Sequence, residues 1–167
     1  MSEIKKLLLN EMNVIMNRTE MFAGMEASLK NVTAKEASWR DQEGDNSIWE
    51  IVNHLIFWNS RYLNQFIGLP VPEEGFTNES TFMKTKESAE ITEENWEKTV
   101  NTLREVSSEW MQAILDCHDE MLMTPPEPER TWWKKISSMN LHTAHHIGQI
   151  ISIRKKQGSW EPVQWDE

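Results

Sequence analysis

All six prolines of the chain fall in three places: Pro70 with Pro72, then Pro125, Pro126 and Pro128, then Pro162. Proline fixes φ and has no amide donor, so it is kept out of helix interiors. The spacing therefore leaves long uninterrupted stretches on either side of the first two clusters. The six glycines add little further punctuation, and no β-branched residues alternate with polar ones as short strands would require. The sequence predicts an all-α fold.

Apolar periodicity divides the stretches into four helices. Ile4, Leu8, Met12, Ile15, Phe22, Met25 and Leu29 recur at helical spacing and predict a first helix over about residues 3–30, weakened at Gly24. Ser47 and Glu50 form a capping box that opens a second helix, continued by Val52, Leu55, Asn59, Tyr62 and Phe66 and stopped by Gly68 and Pro70. Residues from about 69 to 90 read as a long loop, the kind of connection that can cover a site. Thr92 caps a third helix ending near Cys117, with Trp96, Val100, Leu103, Trp110 and Ile114 as its stripe. A fourth runs from about Thr131 to Gln157, with Arg154, Lys155 and Lys156 suiting its C-terminal dipole and Gly158 closing it. Four amphipathic helices fit a four-helix bundle, with the long loop between helices two and three. At 167 residues the whole chain, 1–167, is the size of one domain.

Charge and cysteine content exclude several function classes. Lys and Arg total 17 against 27 Asp and Glu, a net charge of −10 that repels nucleic-acid phosphates. The single cysteine, Cys117, can make neither an intrachain disulfide nor a thiolate cluster. The N-terminal apolar run is three leucines before Asn10 and Glu11, too short for a signal peptide or membrane span, so a cytoplasmic protein is expected. No Gly-x-Gly-x-x-Gly or Walker loop supports a nucleotide cofactor.

Three of the five histidines stand together in His142-Thr-Ala-His145-His146-Ile-Gly-Gln149. With Ile136 at zero on a helical wheel, Thr143, Ile147, Ile150 and Ile151 face the core, within about 60° of it. His146 lies at about 280°, His142 at about 240° and Gln149 at about 220°, a shoulder of the buried stripe, while His145 at about 180° points away. On helix two His54 occupies a matching shoulder beside Ile51 and Trp58. Two imidazoles four residues apart, joined by a third from another helix, make the three-nitrogen set that suits Zn²⁺ or Ni²⁺ and leaves positions open for water or substrate. Such a pair also arises on helices by chance. His118 among acids reads as solvated, Cys117 as a small apolar filler, and Trp58 as a wall of any substrate pocket.

The segments Ser47-Ile-Trp-Glu-Ile-Val-Asn-His54-Leu and His142-Thr-Ala-His-His146-Ile-Gly-Gln-Ile, with Arg154 and Gly158-Ser-Trp160, resemble the DinB/YfiT-like superfamily over nearly the whole chain. The resemblance implies a four-helix bundle, often a homodimer, binding a divalent metal through one His of helix two and two of helix four, here His54, His142 and His146. It implies a family that includes thiol S-transferases using bacillithiol and mycothiol-dependent isomerases. The expected function is then a metal-dependent thiol S-transferase with a small-molecule substrate, a Zn or Ni ion and a thiol cosubstrate. Gln149 and Glu50, each one turn from a histidine, are expected as second-layer supports. The alternatives are a metal-dependent hydrolase, for which no general base stands out, and a non-catalytic, stress-related dimeric binding protein. Ligation needs neutral imidazole, so metal is expected to leave as pH falls below about 6.

Overall fold

The computed structural model describes residues 1–71, 75–83, 91–127 and 130–164. Its helices are α1 (Glu3–Asn17), α2 (Met25–Leu29), α3 (Ala34–Ser38), α4 (Ile48–Phe66), α5 (Glu93–Asp116), α6 (Asp119–Met123) and α7 (Trp132–Gln157), with a 3₁₀ turn at Glu79–Phe82. The all-α expectation holds.

The helices predicted second, third and fourth are α4, α5 and α7, and their ends follow from their caps. Ser47 Oγ accepts from the Glu50 amide at 3.2 Å while Glu50 Oε2 accepts from the Ser47 amide at 2.7 Å, the reciprocal capping box that opens α4. Thr92 caps α5 through the Asn95 amide. Gly158, at φ +73°, closes α7 in the left-handed region that glycine enters without strain.

The first predicted helix is broken. α1 ends at Asn17, the chain turns through an isolated bridge between Thr19 and Ala23, and α2 restarts at Met25. The Gly24 amide donates to the Arg18 carbonyl at 2.9 Å, and a Cβ on Gly24 would lie 2.4 Å from that oxygen, so the turn requires glycine. Met25 and Leu29 are buried as the stripe predicted, but from a separate short helix. The short α3, opened by a second capping box between Thr33 and Glu36, and α6 add to the four predicted helices. Within the predicted loop 69–90 the structure places the 3₁₀ turn, which buries Thr81 and Phe82 against α4. Residues 72–74 and 84–90 of that loop lie outside the described residues.

The four long helices pack in a ring: α4 touches α5 and α7, and α1 touches the same two. Inside it are two apolar clusters. One holds Ile15, Ile48, Leu55, Leu103, Ile147 and Ile150, and the other Leu8, Leu63, Phe66, Trp110, Trp132 and Ile136. Burial of each large side chain contributes roughly 1.5–3 kcal/mol against the entropy of ordering the chain. Among the described residues no helix is long and apolar enough to cross a membrane.

Candidate metal centre

On α7 the two clusters leave a gap: Trp132 and Ile136 belong to one, Ile147 and Ile150 to the other, and His142 and His146 fall between. On α4, His54 lies between Val52 and Leu55 of the first cluster and packs on Phe82 of that same cluster. His54 and His146 are 2% and 5% exposed.

The structure brings His54, His142 and His146 together, with one ring nitrogen of each within 4.8 Å of the others. His54 Nε2 lies 3.2 Å from His142 Nε2, which lies 3.0 Å from His146 Nε2. The opposite ring nitrogens are held from outside. Thr81 Oγ1 sits 2.5 Å from the Asn78 carbonyl, which can only accept, so the hydroxyl donates there and its lone pair takes the Nδ1–H of His54 at 2.6 Å. Gln149 Oε1 accepts from His146 Nδ1 at 2.7 Å, while the amide group donates to His145 Nε2 at 3.2 Å.

With Nδ1 protonated on His54 and His146, their Nε2 lone pairs both point into the cluster. His142 could donate to one of them and not to both. A cation satisfies all three at once. Imidazole binds zinc at about 2.0–2.1 Å, so three such nitrogens around one ion stand about 3.0–3.4 Å apart; His142 Nε2 stands at that spacing from each of the other two, and all three nitrogens lie within 4.8 Å of one another. The donor set fits a divalent metal and leaves further coordination positions open.

Electrostatics agree with ligation. Burial, reinforced by the neighbouring imidazoles, pulls the pKa of His54 and of His146 down to about 4, and burial lowers that of His142 as well. The rings are held in the neutral form that binds metal, so proton competition begins at lower pH than an ordinary imidazole implies.

The other singled-out residues separate clearly. His145 is exposed, as its place on the wheel predicts; its Nε2 meets the Gln149 amide and its ring lies edge-on to that of His146 at 5.4 Å between centroids. His118 is the exposed N-cap residue of α6. Glu50 is buried, but its carboxylate takes the Ser47 amide and the Arg40 guanidinium, at 2.6 Å for the shorter bond. Those two partners take up its carboxylate, and the side chain that meets His54 Nδ1 is Thr81. Burial pushes the Cys117 thiol pKa up, and its Sγ donates to the Ile114 carbonyl at 3.3 Å. Phe82 stacks on the His54 ring at 4.1 Å between centroids, and Trp58 meets that ring edge-on at 6.3 Å. Neither Thr81 nor Phe82 carries a periodic signal, because both lie in the irregular loop; the only pointer was the loop's length. Trp58 and His142 share the wall of a cavity of about 280 Å³, which His142 alone of the three histidines lines.

The family model of the DinB superfamily matches residues 19–150, which include all three histidines. No curated protein and no solved structure matches the chain.

Proposed function

The chain belongs to the DinB superfamily, and from that premise we propose that it is a divalent-metal-dependent enzyme that transfers a low-molecular-weight thiol of the bacillithiol type to an electrophilic small molecule. The observation that carries this reading is the convergence of three imidazole nitrogens whose lone pairs leave room for one cation. His54, His142 and His146 would hold it, and Zn²⁺ and Ni²⁺ are the ions an all-imidazole set suits. When bound, such an ion is a Lewis acid that favours the thiolate form of a cosubstrate thiol.

The chain's own residues account for the rest. Thr81 and Gln149 fix the tautomers and ring planes of His54 and His146. Phe82 covers one face of the His54 ring. The cavity at His142 and Trp58 would bring a small molecule to His142. The chain offers no activated thiol of its own, since the thiol of Cys117 is bonded to a backbone carbonyl and its pKa is raised. That favours a thiol arriving as cosubstrate.

The test is elemental analysis of protein reloaded with Zn²⁺ or Ni²⁺, beside a His142→Ala, His146→Ala double variant, followed by a thiol-consumption assay with bacillithiol and a chloro-dinitroaromatic electrophile. About one ion per chain and thiol-dependent turnover in the parent, with neither in the variant, is expected. Turnover of esters or amides without thiol would replace transfer with hydrolysis. Absence of a stoichiometric ion would leave a binding protein with structural histidines.

A further inference from the structure

The cavity beside His142 has a mixed lining. Trp58, Tyr62 and Met139 supply apolar surface, and Trp58 and Tyr62 stack at 5.6 Å with their planes 19° apart to form a flat aromatic patch. Arg130, Lys135, Ser138 and Asn78 supply the polar part of the lining. Two cations in the lining of one small cavity stand out in a chain whose net charge is −10.

The two cations are not equivalent. Lys135 is buried, its ammonium lies 3.9 Å from the Tyr62 ring centre, and it donates to Glu127 Oε1 at 3.0 Å, so its charge is already answered. Arg130 is half-buried and held in place twice. Its backbone amide donates to the Glu127 carbonyl at 3.2 Å and its Nη2 donates to Ser138 Oγ at 2.8 Å. Among the described residues no carboxylate stands at ion-pair distance from it. A guanidinium has five N–H donors in a planar fork that matches a carboxylate, and among the described residues one of these is engaged by a side chain, Ser138. The lining therefore combines a positioned guanidinium with no carboxylate partner among the described residues, an aromatic patch and His142 of the histidine cluster.

We propose that this cavity recognises the carboxylate of a small organic acid with a flat apolar body, with Arg130 as the anion-binding and specificity-determining residue. The electrophilic substrate then belongs to that class. Its carboxylate lies at Arg130, its apolar body rests against Trp58 and Met139, and its reactive carbon faces His142. A volume of about 280 Å³ sits at the lower edge of the range for small-molecule sites, so the acid is of benzoate size rather than of nucleotide size. The proposal rests on the metal-enzyme reading only for calling the acid a substrate; recognition by Arg130 requires no metal.

The experiment follows from that independence. Fluorine NMR line broadening is measured for 4-fluorobenzoate and its neutral isostere 4-fluorobenzamide on chelator-treated protein, comparing the parent with Arg130→Gln. The acid is expected to bind the parent at least tenfold more tightly than the amide, and Arg130→Gln, which leaves a shorter, neutral amide in place of the charged fork, is expected to abolish that preference. No binding of the acid, equal binding of acid and amide, or an unchanged preference in Arg130→Gln would each overturn the proposal. Because these samples contain no metal, such a result leaves the metal-loading test standing, and a failed metal-loading test leaves this one standing.

Discussion

His145 and His146 are neighbours in sequence with opposite fates, one exposed and one enclosed. The 100° step between adjacent helical residues is enough to explain this, and it made the separation legible from periodicity alone. Which imidazoles meet across helices was not legible from spacing, and neither was what holds them. Thr81, whose hydroxyl fixes the His54 ring, comes from a 3₁₀ turn that no repeat announces. Thr81→Val keeps the buried volume but removes the acceptor of the His54 Nδ1–H. Zinc affinity, read by competition with a chromophoric chelator, is expected to fall 10–100-fold, the usual effect of losing a support behind a metal-ligating histidine. Circular dichroism is expected to be unchanged. Unaltered affinity would mean that Thr81 merely packs.

At the scale of elements, α4, α5 and α7 were legible because their caps are local: each start or stop is signalled within a few residues. The break between α1 and α2 was not, because the apolar stripe carries across it and the reason for the turn is a close backbone approach. Two glycines test this with opposite signs. A Cβ at Gly24 meets the carbonyl oxygens of Arg18, Ile15 and Val14 at 2.4, 3.0 and 3.0 Å, all backbone atoms that cannot swing aside. Gly24→Ala is expected to cost about 2 kcal/mol or more in urea unfolding. Gly148 lies within α7, exposed, and a Cβ there meets nothing within 4 Å. Gly148→Ala is expected to stabilise by about 0.5–1 kcal/mol, the helix preference of alanine over glycine. If both substitutions proved neutral, the turn at Gly24 would be looser than its contacts indicate.

The whole molecule stores a conflict where α4 and α7 face each other. Three imidazoles are gathered there with their pKa values lowered, so folding withholds protons that the unfolded chain would take. The sign is fixed by linkage: between the unfolded value of 6.5 and the folded value of about 4, the unfolded state binds more protons, and each step down in pH favours unfolding. Above about pH 6.5 both states are neutral at these sites and the stability is fully present, while by pH 4 most of the loss has occurred. One pKa unit corresponds to about 1.4 kcal/mol, so His54 and His146 together place a loss on the order of several kcal/mol in that window. Urea midpoints of metal-free protein are expected to fall steeply from pH 6.5 to 4, and a His54→Asn, His146→Asn double variant is expected to show a flatter profile over the same range. Zinc at 100 times its dissociation constant should add about 2.7 kcal/mol near neutral pH, an increment that shrinks as protons displace it. Parallel pH profiles for parent and variant would show that the cluster does not set the acid response and that carboxylates alone do.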